Sequence, residues 1–154
     1  MRAVVGFGAN LGDRLGTMRA ALRELAAVAR VEGTSRVYTT APVGPPQPDY
    51  LNAAALVVFE GTAQQLLDAL LGIEAALGRV RGARFGPRTI DLDVLWADDL
   101  VVETGRLVVP HPRLPERAFA LVPMLEVAPG AADPRTGRAY EVPPGDVQVT
   151  NDVL

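Results

Sequence analysis

The chain contains neither cysteine nor lysine. Without thiols there is no disulfide, no thiolate nucleophile and no thiolate-bound zinc. Without lysine, Schiff-base chemistry and a P-loop lysine on the phosphates are both impossible. All 15 basic residues are therefore arginines. Aromatic residues are scarce (4 Phe, 3 Tyr, 1 Trp) and the formal net charge is −3. A sheet that binds RNA needs exposed aromatics and a basic surface, so no nucleic-acid partner is expected. No apolar run approaches the roughly 20 residues of a membrane span, and the N-terminal run is too short for a signal peptide. A cytoplasmic protein that binds no membrane is the resulting expectation.

What remains is an ordinary globular balance: 154 residues, 49% hydrophobic and 21% charged. This fits one domain over residues 1–154. A strand is predicted over Arg2 to Phe7, then a loop, then a helix from Asp13 to about Ala29. Leu15, Met18, Leu22, Leu25 and Val28 or Ala29 give that helix its stripe, and Asn10 or Asp13 its cap. Further strands are expected over Thr34 to Thr39, Tyr50 to Phe59 and Thr89 to Ala97. The four prolines and one glycine between Thr40 and Asp49 make a restricted loop. A second helix has capping-box spacing at Thr62 to Gln65, a stripe of Leu66, Leu70, Ile73 and Leu77, and a stop at Gly78. A third helix is expected over Pro115 to Glu126, with short extended pieces near Leu100 to Val102 and Arg106 to Val109. Beyond Pro129 lies a less regular extension with one late strand near Ala139 to Val142. The order β-α-β-β-α-β predicts an α+β sandwich of the ferredoxin-like kind, a mostly antiparallel sheet flanked by helices.

Alternation along Thr89 to Ala97 sets Ile90, Leu92, Val94 and Trp96 on a core face, with Asp91 and Asp93 together on the other. Carboxylates at i and i+2 stand about 7 Å apart and repel, and a hard cation such as Mg²⁺ relieves the repulsion. Bare Asp-x-Asp pairs are common on solvent-facing strands. The flanking segment changes the reading: Arg79, Arg81, Arg84 and Arg88 occur between Arg79 and Ile90 with no acid among them. Guanidinium forks bind phosphate oxygens bidentately, so carboxylates beside arginines suit metal-assisted transfer from ATP. Tyr50 and Asn52 share a strand face and offer a flat ring with a mixed donor and acceptor, which suits a planar heterocycle. A sheet-surface Tyr and a turn-satisfying Asn would look the same. Gly6 to Gly12 reads as a tight strand-to-helix turn, because its spacing is GxGxxxG rather than the GxGxxG of a dinucleotide-binding loop. His111, the lone histidine, sits between prolines, a position that is more often structural.

Taken together, these residues resemble the 6-hydroxymethyl-7,8-dihydropterin pyrophosphokinase family of folate biosynthesis. The stretch Arg84-Phe85-Gly86-Pro87-Arg88-Thr89-Ile90-Asp91-Leu92-Asp93-Val94-Leu95 carries most of the resemblance. Residues 8–12, 47–53 and 109–114 continue it in order along the chain. The resemblance implies transfer of the β,γ-pyrophosphoryl group of ATP to the pterin hydroxymethyl oxygen, with release of AMP. It implies that Asp91 and Asp93 ligate two Mg²⁺ ions and that Arg79 and Arg88 stabilise charge on the transferring group. Arg81 and Arg84 would close over ATP in a mobile loop, with Glu74, Arg106, His111 and Arg117 also on the nucleotide side. Tyr50 and Phe119 would sandwich the pterin, while Asn52, Thr40 and the backbone near Val43 read its edge. A monomer acting on two small molecules is implied as well. The chain departs from the family pattern at Ala41, Gly82, Phe85 and Pro112, which bears on affinity and loop motion rather than on the chemistry. The competing readings are a catalytically silent nucleotide- or pterin-binding module and an RNA-binding ferredoxin-like module.

Overall fold

A computed structural model describes residues 1–41, 46–78 and 89–154. The elements are β1 (Arg2–Ala9), α1 (Arg14–Val28), β2 (Arg30–Thr34), β3 (Arg36–Thr40), β4 (Tyr50–Val58), α2 (Ala63–Ala76) and β5 (Asp91–Ala97). The short strands β6 (Val102–Glu103) and β7 (Val108–Val109) follow, then a 3-10 turn (Leu114–Glu116), α3 (Ala118–Val127) and β8 (Val147–Val153). Six strands form one sheet in the order β5-β1-β4-β3-β8, with β2 also on β4. Its pairings are antiparallel. The arrangement is the expected α+β ferredoxin-like one.

Local chemistry accounts for the helix boundaries. Asp13 caps α1 by accepting the Gly16 N–H at 3.1 Å. Thr62 and Gln65 close the expected capping box of α2, at 3.1 and 2.9 Å. Gly78 ends that helix region with φ +78, a conformation natural to glycine. Met18, Ala21 and Leu25 of α1 and Leu66, Leu70 and Ile73 of α2 pack on one sheet face, against Val5, Phe7, Leu51, Ala53 and Val57. Val28, counted in the α1 stripe, is half exposed instead. The opposite face packs Val4, Ala54 and Leu56 against Leu121 and Met124 of α3. α3 covers only part of that face, and the uncovered part holds the site.

Four expectations need correction. The strand predicted over Thr34 to Thr39 is two strands broken at Ser35, whose buried hydroxyl accepts the Ala54 N–H at 2.9 Å and donates to the Arg36 carbonyl at 2.7 Å. Trp96 does not share the face of Ile90, Leu92 and Val94. The β1–β5 register shifts between Val4 and Val5, so Leu95 and Trp96 both pack under α3. The third helix starts at Ala118, after the separate 3-10 turn. The late strand is β8, well beyond Ala139 to Val142, where the only pairing is a single bridge between Ala132 and Ala139. Among the described residues, no helix is long and apolar enough to cross a membrane.

Candidate active site

The open half of the sheet face has a flat floor because its central strand presents glycines. The register puts Gly8 of β1 between Asn52 on β4 and Asp91 on β5, and Gly6 beside Asp93. A Cβ on Gly8 would lie 3.5 Å from Asn52 Oδ1 and 4.0 Å from Asp91 Cβ, and one on Gly6 would meet Leu95 at 2.9 Å. Side chains there would fill the space that now separates the amide from the carboxylates. Two strand spacings, roughly 10 Å in all, divide the Tyr50/Asn52 column from the Asp91/Asp93 column. Gly6 and Gly8 were read from sequence as turn formers. Their role as floor depends on cross-strand register, which a single sequence does not display.

A cavity of about 490 Å³ stands on this floor. It brings together Asp91, Asp93, Tyr50, Asn52, Thr40, Arg117 and Phe119. Asn52 is buried and donates to Thr40 Oγ1 at 2.7 Å, which fixes the orientation of its amide. The 3-10 turn and the first turn of α3 form the opposite wall. Arg117 lies between them, half-buried, with its guanidinium 5.6 Å from the centre of the Phe119 ring. Burial lowers the Arg117 pKa from its ordinary value, and Asp93 and then Asp91 oppose that shift. The carboxylate pair and this arginine are thus electrostatic neighbours. Arg113 and Glu116 also line the cavity and pair with each other at 3.4 Å, and neither was singled out in the sequence.

Other nucleotide-side candidates stand elsewhere. Arg106 is exposed and pairs with Asp68 of α2 at 3.2 Å. Glu74 is buried, its Oε2 accepting the Leu92 N–H at 2.8 Å on the outer edge of β5. Glu74→Ala is therefore expected to destabilise the fold by about 1–3 kcal/mol, since it strands a buried N–H, while Glu74→Gln keeps an acceptor there. Urea denaturation would measure this, and equal stability of the Ala and Gln variants would refute it. His111 is partly buried, and its Nδ1 accepts the Arg113 N–H at 3.2 Å. Burial first, then Arg117 and Arg113, push its pKa down to about 4. At neutral pH it is an uncharged ring with its proton on Nε2, an N–H donor rather than a cation. Arg79, Arg81, Arg84, Arg88 and Val43 lie outside the described residues.

One residue passed over as a helix cap has a different part. Asn10 is fully buried, and its Nδ2 donates to Gln47 Oε1 at 2.6 Å and to the Pro48 carbonyl at 3.2 Å. With Arg14, which donates to the Asp49 carbonyl at 2.8 Å, it ties the segment before Tyr50 to the end of β1. A cap and a long-range tie use the same residue type, so composition does not separate them.

Comparison with known proteins finds relatives over most of the chain. Residues 4–129 match the family model described as 7,8-dihydro-6-hydroxymethylpterin-pyrophosphokinase. A Synechocystis protein named 2-amino-4-hydroxy-6-hydroxymethyldihydropteridine pyrophosphokinase is 44% identical over 138 residues, covering 88% of this chain and 71% of its own length. A protein of the same name from Methylorubrum extorquens is 47% identical over 131 residues, 83% of each chain. Among solved structures, an HPPK-DHPS in complex with substrates superposes with a TM-score of 0.69 at 12% identity, over 90% of this chain and 42% of that one. The chain thus spans about two-fifths of that protein's length, and the likeness concerns the fold alone.

Proposed function

This chain belongs to the 7,8-dihydro-6-hydroxymethylpterin-pyrophosphokinase family, and we propose from that premise that the two sides of its cavity divide the work between pterin and ATP. The reaction moves the β,γ-pyrophosphoryl group of ATP to the hydroxymethyl oxygen of 6-hydroxymethyl-7,8-dihydropterin and releases AMP, a step of folate biosynthesis. The hydroxymethyl oxygen bonds to the β-phosphorus as the bond from that phosphorus to the α–β bridging oxygen breaks. The observation behind the division is that Tyr50 and Asn52 share one cavity with Asp91 and Asp93, separated on that face by the glycine positions Gly6 and Gly8 of β1.

On the pterin side, Tyr50 and Phe119 stack on the ring, while Asn52, Thr40 and the backbone near Val43 read its edge. On the other side, Asp91 and Asp93 offer hard oxygens on one strand face, a donor set that fits Mg²⁺. Two ions held there would neutralise triphosphate charge and polarise the transferring group. Arg117 lies close enough to both carboxylates to feel their charge, so it can bind a phosphate oxygen while the carboxylates hold metal. Arg79 and Arg88 carry charge stabilisation on the transferring group, and Arg81 and Arg84 bind the triphosphate. Neutral His111 donates to phosphate or ribose, and Arg106 and Glu74 act more remotely, through the loops and strand edge they brace. The chain works as one unit over 1–154, with 129–154 as a C-terminal extension, as a cytoplasmic monomer.

The test is to incubate the protein with ATP, Mg²⁺ and 6-hydroxymethyl-7,8-dihydropterin and follow the nucleotide product. AMP is expected in step with the pterin pyrophosphate. Release of ADP or of inorganic phosphate in place of AMP would overturn the assignment.

A further inference from the structure

The family match stops at residue 129, yet the chain beyond it returns to the site. β8 pairs with β3 at the sheet edge, with Val147 opposite Thr40, the residue that orients Asn52. It is held there by more than its ladder. Thr150 donates to the Val37 carbonyl at 2.8 Å, Arg19 of α1 to the Val153 carbonyl at 2.8 Å, and the Leu154 N–H to the Ser35 carbonyl at 3.2 Å. Just before β8 the chain passes behind the first turn of α3. A Cβ on Gly145 would lie only 2.9 Å from Ala118 Cβ. Ala118 is buried and sits between Arg117 and Phe119, both of which line the cavity. The far end of α3 is fixed separately: Glu126 accepts from the Tyr38 hydroxyl at 2.5 Å and from the Arg36 N–H at 3.0 Å.

We propose that Gly145 is a positioning residue for pterin binding, backing Ala118 so that the C-terminal segment sets where Phe119 stands opposite Tyr50. The inference rests on the reading of Tyr50 and Phe119 as the pterin's two walls. Ala118 Cβ is one bond from the helix backbone and has no rotamer with which to retreat. An ordinary carbon–carbon contact needs about 3.5–4.0 Å, so one added methyl must shift the helix turn or the segment by about 0.6–1 Å. A sandwich for a flat ring tolerates such a shift badly, and so does a phosphate contact made by Arg117.

The experiment measures pterin affinity by fluorescence titration, with melting temperature in parallel, for Gly145→Ala, Ala118→Val, Ala118→Gly and the double variant Gly145→Ala/Ala118→Gly. Gly145→Ala is expected to weaken pterin binding about tenfold. Ala118→Val, which adds bulk from the helix side, is expected to do the same. Ala118→Gly alone removes the methyl that Gly145 backs and is expected to weaken binding by no more than about threefold, and the double variant, which puts a methyl back in the gap, should recover to within about twofold of the parent. A merely structural glycine would lower the melting temperature and leave affinity well below that temperature unchanged, which would overturn the proposal. Recovery of melting temperature without recovery of affinity in the double variant would do so too. Tyr50→Ala serves as the control. If it leaves pterin binding intact, the stacked walls are wrong; if it weakens binding while Gly145→Ala does not, only the positioning role fails.

Discussion

Asp93→Ala is expected to cut AMP formation about a thousandfold or more while leaving the protein folded. Asp91 and Asp93 project from one face of β5, and Asp93 is the more exposed of the two. Removing one carboxylate removes half of the protein's own oxygen donors for the proposed ions, so the loss should appear in kcat more than in the pterin KM. Stability is a balance of small terms. The pair repels by roughly 0.6 kcal/mol at a 7 Å spacing in a water-like medium, and that repulsion disappears with the side chain. The attraction between Asp93 and Arg117 disappears as well, and it is of opposite sign. The two act in opposite directions, and the melting temperature is expected to move by no more than a few degrees. Turnover near that of the parent would remove the metal assignment, and a large fall in melting temperature would mean that Asp93 supports the fold instead.

The same strand shows how far the sequence could be read. Period-two alternation put Asp91 and Asp93 on a common face and Leu92 and Val94 in the core, and the structure agrees at all four. It fails two residues later at Trp96, because the register against β1 slips where nothing in the sequence of β5 marks it. Propensity within one segment predicts faces only while the partner strand stays in step. Ser35 failed differently. A single hydroxyl competing for a backbone N–H splits one predicted strand into two, and short polar residues inside strands rarely announce that role.

β8 was passed over for a physical reason as well. Val147, Val149 and Val153 do have strand chemistry, but the strand lies at the sheet edge with Val149 and Val153 half exposed. It has no buried face to impose alternation between core and solvent, and the prolines and glycine before it read as tail. The candidate site was more legible than the fold's rim. Tyr50, Asn52, Asp91 and Asp93 owe their shared cavity to period-two spacing on two strands that β1 joins. Thr40, Arg117 and Phe119 came from family resemblance alone. Glu116 and Gly6 came from neither, and Gly8 and Arg113, though inside the resembling stretches, were given no part in the site, since each part depends on elements brought together across the sheet.

Tyr50→Ala is expected to weaken pterin binding by one to two orders of magnitude while leaving the affinity for a non-hydrolysable ATP analogue within about threefold of the parent. Stacking of a heterocyclic base on an aromatic ring is worth roughly 1–3 kcal/mol by alanine substitution, which corresponds to about 5- to 150-fold. Tyr50 is the first residue of β4, and its segment is tied down from behind by Asn10 and Arg14. The ring is therefore presented on a fixed backbone, and little ordering cost offsets the stacking. The asymmetry between the two ligands follows from the floor. Tyr50 and Asp91 belong to strands on opposite sides of β1, so a truncation at one column does not reach phosphate bound at the other. Tyr50→Phe separates the ring from its hydroxyl and should bind pterin nearly as the parent does. Equal weakening of both ligands by Tyr50→Ala would mean that the residue holds the cavity open rather than stacking on the pterin. A Phe variant as weak as the Ala variant would move the contact from the ring to the hydroxyl.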